Sequence, residues 1–80
     1  MMKKLDELIV GETGLIKSID GEGKIRRRLF DMGVTPGASV YLRKKAPLGY
    51  PIEITIRNYE LTLRKDEANL VNVDVLGGKK

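Results

Sequence analysis

Between Lys24 and Ala38 the sequence specifies a helix, ends it and reverses the chain, and no other segment limits the fold as strongly. Ile25, Leu29 and Met32 fall at i, i+4 and i+7, which places them on one helical face, with Arg26 and Arg27 off that face. Gly33 follows where a helix commonly ends in a left-handed residue, a conformation that costs glycine little. Val34 then occupies the C″ position, from which it can pack back on Leu29. Thr35-Pro36-Gly37-Ala38 has Pro and Gly at the two central positions of a type II turn.

On either side the hydrophobic period drops to two. Leu15-Ile16-Lys17-Ser18-Ile19 reads as a first strand, closed by the turn-forming run Asp20-Gly21-Glu22-Gly23. Val40-Tyr41-Leu42-Arg43 reads as a second strand running into Lys44-Lys45, and Ala46 to Pro51 as a loop. Ile52, Ile54 and Ile56 alternate with Glu53, Thr55 and Arg57, and Tyr59, Leu61 and Leu63 with Glu60, Thr62 and Arg64. Asn58 tolerates positive φ and suits the tight turn between those two strands. A helical turn over Lys65 to Asn69, with Asp66 as its N-cap, precedes a last strand with Val71, Val73 and Val75 inward. At the other end Leu5, Leu8 and Ile9 suit a short helical turn with an apolar side, within Lys3 to Val10.

The expected fold is therefore mainly β: a small SH3-like barrel of about five strands, since curling short antiparallel strands removes exposed edges. One α-helix follows the first strand, and short helical turns lie near the N-terminus and before the last strand. A single domain is expected over residues 1–76, with Gly77 to Lys80 as a flexible tail. Met1-Met2-Lys3-Lys4 starts like a signal peptide, but Leu8-Ile9-Val10 is far shorter than an apolar core region. No stretch approaches the ~18 apolar residues of a membrane span. A cytoplasmic location is the expectation, and the lack of cysteine suits a reducing compartment.

With 80 residues, 41% hydrophobic and 32% charged, the chain has a modest core and little room for a deep cleft. It contains no histidine and no cysteine, which removes the commonest general base and the thiolate nucleophile. Glu53 and Glu60 fall on the polar sides of their strands and read as solvated surface. No catalytic residue, cofactor site or metal site is expected: Met32 belongs to the apolar helix face, and Asp66-Glu67 are explained by helix capping. Asp20-Gly21-Glu22-Gly23-Lys24 fails as a phosphate loop, with Ser18 where the first Gly belongs and Ile25 in place of the metal-binding hydroxyl.

Basic residues are more suggestive. Lys24, Arg26, Arg27, Arg28, Arg43, Lys44 and Lys45 lie on the helix and the next strand, and Asp31 is the only acid between Lys24 and Lys45. They can form a solvated face with snorkelling stems, or a patch that meets an acidic partner or phosphates. Aromatic residues total 5%, too few to interleave a stacking platform with this charge, which disfavours nucleic acid.

Arg28-Leu29-Phe30-Asp31-Met32-Gly33-Val34-Thr35-Pro36-Gly37 resembles the helix-to-turn hallmark R-L-x-x-[ML]-G-[LV]-x-P-G of the FeoA family of small bacterial ferrous iron transport proteins. The similarity continues through Val40, Ala46 to Pro51, Ile52 to Ile56, Leu61 to Arg64, Glu67-Ala68 and Val71-Asn72-Val73. One departure is Tyr50, where the family often has Asp. The resemblance implies an SH3-like barrel without enzymatic activity, acting in the cytoplasm as an accessory or regulator beside FeoB, a membrane transporter with a cytoplasmic GTP-binding domain. The same fold occurs as the C-terminal domain of metal-dependent transcription regulators. Arg26, Arg27 and Phe30 on the helix, with Leu48 and Tyr50 in the loop, are the expected contact surface for that transporter. A small nucleic-acid-binding barrel and a transition-metal-sensing domain are the alternatives, and weak self-association stays open.

Overall fold

The computed structural model describes residues 1–75; the expected tail, Gly77 to Lys80, lies outside the described residues. Six strands form one antiparallel sheet: β1 (Met2–Lys4), β2 (Thr13–Ile19), β3 (Ser39–Lys45), β4 (Ile52–Ile56), β5 (Tyr59–Leu63) and β6 (Val71–Val75). Their spatial order is β1-β6-β2-β3-β4-β5. Helix α1 (Lys24–Asp31) follows β2, a single turn α2 (Lys65–Ala68) precedes β6, and a 3-10 turn (Leu5–Glu7) follows β1. The mainly β, SH3-like expectation holds, with a sixth strand added. β1 escapes a pattern-based reading because its three residues show no alternation and its partner, residues 72–74 of β6, lies at the far end of the chain.

Two bulges let so short a sheet coil. In β2 the register shifts between Ile16 and Ser18, so Ile16 and Ile19, three residues apart, both turn inward. In β3 it shifts between Leu42 and Lys44, leaving Arg43 at the bulge. Each inserts an extra residue in one strand and strengthens the local twist. The inward residues of all the long strands then meet in one core with Leu5, Leu8, Leu29, Val34 and Ala68. Leu5 and Leu8 are buried as the spacing predicts, but Ile9 is 64% exposed. The expected Lys3–Val10 turn is shortened to Leu5–Glu7, because Gly11 and Glu12 bond instead to Leu42 on β3.

The helix-to-turn segment forms as its sequence specifies. The Val34 N–H donates to the Leu29 carbonyl at 2.9 Å and that of Gly33 to Phe30 at 3.0 Å, the paired bonds of a Schellman cap. Leu29 and Val34 are both fully buried. The Ala38 N–H closes the next turn on Thr35, with Gly37 at φ 93. Two expectations need correction. Arg57 does not continue β4 but shares the turn with Asn58, at φ 50 and 71, a two-residue turn matched to strand twist. Asp66 does not cap α2: Arg64 is the N-cap, and the nearly buried Glu67 reaches back to accept its N–H at 2.9 Å.

Candidate functional site

The five expected contact residues fall on two separate surfaces. Arg26, Arg27 and Phe30 line a shallow groove with Gly21, Glu22 and Gly23, where the turn after β2 enters α1. Arg26 organises it. Its Nε donates to the Ile19 carbonyl at 3.2 Å, and its guanidinium sits 4.6 Å from the centre of the Phe30 ring. Phe30 packs its inner part on the core and leaves the rest to this cation–π contact. Leu48, 95% exposed, projects from the loop between β3 and β4.

Tyr50 lies elsewhere, in a cleft of ≈ 480 Å³ with Arg28, Pro51, Thr62, Arg64, Lys65 and Glu67. The Tyr50–Pro51 peptide is cis. Its ring packs against the core, its hydroxyl donates to the Asp6 carboxylate, and Lys65 Nζ lies 5.8 Å from the ring centre. The hydrogen bond to Asp6 favours the neutral phenol and raises the Tyr50 pKa above its ordinary value. Arg28 Nη1 is 3.5 Å from the Glu67 carboxylate, with the arginine 68% exposed.

The basic residues that run together in sequence therefore do not share one role. Arg43, at its bulge, is held between Glu53 at 2.9 Å and Glu60 at 3.0 Å on the outer sheet face. Lys45 donates to the Asp6 carbonyl at 3.2 Å and lines a third cleft with Lys44, Pro47 and Pro51. Arg57, which alternates with the β4 isoleucines in sequence, clamps the helix-to-turn segment. Its Nε donates to the Gly33 carbonyl at 3.1 Å and its Nη2 to the Thr35 hydroxyl at 2.6 Å. Arg64 and Lys65 enter the Tyr50 cleft from a part of the chain that the run of charge from Lys24 to Lys45 does not reach. Their signal was proximity after folding, which no linear spacing carries.

Among the described residues, no group of three or more carboxylates is placed to hold a metal ion, and no helix is long and apolar enough to cross a membrane. The arrangement can chemically do two things: present cations with an aromatic face, and offer a sheet edge. Six coiled antiparallel strands, a helix capping the core and clefts confined to the surface define a small SH3-like β-domain. The FeoA domain model matches residues 3–75, so the chain belongs to the FeoA domain family.

Solved relatives agree with that placement. Iron(II) transport protein A from Clostridium thermocellum superposes with a TM-score of 0.90 at 41% identity, covering 95% of this chain and 47% of that one. FeoA of Stenotrophomonas maltophilia, solved with zinc and described as a prokaryotic SH3 domain protein, gives 0.77 at 29% identity, covering 92% and 89%. A curated relative from Porphyromonas gingivalis is a fusion of Fe(2+) transport protein A with the Fe(2+) transporter FeoB. It is 30% identical over 73 residues, which are 91% of this chain and 9% of that protein's length.

Proposed function

We propose that this chain is an accessory protein of bacterial ferrous iron uptake, not an enzyme, that acts by contact with the cytoplasmic GTPase portion of a FeoB-type transporter. One observation carries the reading: in the Porphyromonas relative a domain 30% identical to this chain is joined to FeoB in one polypeptide. Covalent linkage holds two partners at high effective concentration, and it is useful where the two parts act on each other. The reading places the chain in the cytoplasm. It assigns the contact to Arg26, Arg27 and Phe30, whose groove is cationic and aromatic, with Leu48 and Tyr50 of the 46–51 loop.

Binding to the transporter's purified cytoplasmic domain tests it. Replacing both Arg26 and Arg27 with Glu should weaken capture about tenfold at low salt, in line with reversal of exposed charges. Equal capture of the folded variant would remove these residues from the contact, and no capture of the wild-type chain would remove the reading itself. A second reading, direct binding of a transition metal, is favoured by the zinc complex of the Stenotrophomonas relative. Anaerobic calorimetric titration with Fe²⁺ and with Zn²⁺ decides it.

A further inference from the structure

Several basic side chains of the described surface are already engaged. Lys3 pairs with Glu12, Lys4 with Asp20, and Arg43 with Glu53 and Glu60. Arg57 and Lys45 donate to the carbonyls of Gly33 and Asp6. The Tyr50 cleft gathers three more, Arg28, Arg64 and Lys65. Among the described residues no carboxylate is in ion-pair reach of Arg64 or Lys65, and both are exposed. Arg28 reaches only Glu67, at 3.5 Å. That carboxylate is itself occupied by the Arg64 N–H and is only 5% exposed. The lining thus holds three cations and one carboxylate turned inward, with the Asp6 carboxylate occupied by the Tyr50 hydroxyl, so the balance is positive and the cleft attracts negative charge.

Its walls limit the shape of what can enter. Thr62 stands on β5, the last strand of the sheet order, whose only strand partner among the described residues is β4. The two-residue turn closes on the pair Ile56 and Tyr59, so bonded pairs recur at Ile54–Leu61 and Ile52–Leu63. Thr62 lies between them and directs its own N–H and C=O away from β4. An extended chain lying along Thr62 meets a main-chain donor and acceptor on one side, and cations within side-chain reach on the other. Tyr50 and Pro51 give its apolar groups a surface. A lone aromatic already faced by Lys65 offers no run of stacking sites for nucleotide bases.

We propose that the cleft of Arg28, Tyr50, Thr62, Arg64 and Lys65 seats an extended acidic segment of a partner polypeptide, its carboxylates paired with the three cations and its backbone aligned by Thr62. The inference rests on the reading of this chain as a protein that works by protein contact, and it specifies the chemistry of the partner.

Amide NMR titration of the full chain with poly-L-glutamate, an oligouridylate and inorganic polyphosphate tests the site. Shifts from poly-L-glutamate should cluster at Arg28, Tyr50, Thr62, Arg64 and Lys65. Arg64→Gln with Lys65→Glu should weaken binding about tenfold, while Lys17→Glu, on β2 and outside the cleft, leaves it unchanged. Lys65→Glu alone serves if the double variant is unstable. Shifts spread evenly over the exposed lysines, or undiminished affinity in the variant, would overturn the proposal. Tighter binding of oligouridylate or polyphosphate at the same amides would overturn the choice of a polypeptide. A parallel titration uses the transporter's cytoplasmic domain. If the variant matches the wild type both in poly-L-glutamate affinity and in capture by that domain, the cleft is refuted and the proposed function stands. If the wild type binds poly-L-glutamate in the cleft but not that domain, the cleft stands and the transporter reading falls.

Discussion

Gly33 and Gly37 have nearly the same backbone, at φ 90 and 93, yet their surroundings separate them. A Cβ on Gly37 would meet nothing within 4 Å, whereas one on Gly33 would lie 3.0 Å from the Tyr59 hydroxyl and 3.3 Å from the Arg57 side chain. Alanine at either position costs about 1–2 kcal/mol for the left-handed backbone, partly offset by a less flexible unfolded chain. Gly33→Ala must also displace Arg57, which bonds to the carbonyl of that same glycine. Urea denaturation should therefore show a larger loss of stability for Gly33→Ala than for Gly37→Ala. The helix stop is thus a packing position as well as a backbone one.

At the scale of elements, one device recurs. The carboxylates of Glu7, Glu12 and Glu67 each accept the backbone N–H of the residue three positions earlier: Lys4 at 2.7 Å, Ile9 at 2.7 Å and Arg64 at 2.9 Å. At Glu7 and Glu67 this is the returning half of a capping box without the usual Ser or Thr, and at Glu12 it closes a turn with the Glu12 N–H bonded to the Ile9 carbonyl. Glu67→Ala should destabilise the domain by about 1–2 kcal/mol, through the lost N–H acceptor beside a buried position. Glu67→Gln, which keeps an acceptor, should lose much less; thermal melts of the two variants check this. The exposed pair with Arg28 adds little at 3.5 Å. The same device marks what the sequence withholds. β4, β5 and α1 are legible because Ile52-Ile54-Ile56, Tyr59-Leu61-Leu63 and Ile25-Leu29-Met32 repeat at fixed periods. Glu67 reads only as the neighbour of a capping residue because its burial is set by the folded surroundings, and a charged residue beside an N-cap carries no sign of that. The Tyr50 cleft is hidden for a related reason: α1, the 46–51 loop and the start of α2 contribute one or two residues each.

For the whole molecule, the β1–β6 ladder joins the two extremes of the described residues, Met2 opposite Asp74 and Lys4 opposite Asn72. Charges fasten it. Lys4 Nζ lies 2.6 Å from Asp20 and 2.8 Å from the Asn72 side chain. The Lys4 hydrogen bond holds the Asp20 carboxyl below its ordinary pKa of 3.8, and the Ile9 N–H holds Glu12 below 4.5. A carboxylate with a lowered folded pKa contributes stability above its unfolded value, and loses that contribution as pH falls through the folded one. Asp20→Asn should therefore lower Tm at neutral pH, and the difference from the wild type should vanish in acid below 3.8, as melts across the pH range would show. The direction in which β1 lies against β6 has a mechanical consequence. Met2 and Asp74 sit at the same end of the ladder, so tension applied through the two ends opens its hydrogen bonds one after another rather than loading them together. A tether through both ends would peel β1 away at low force and leave β2 to β6 holding the core.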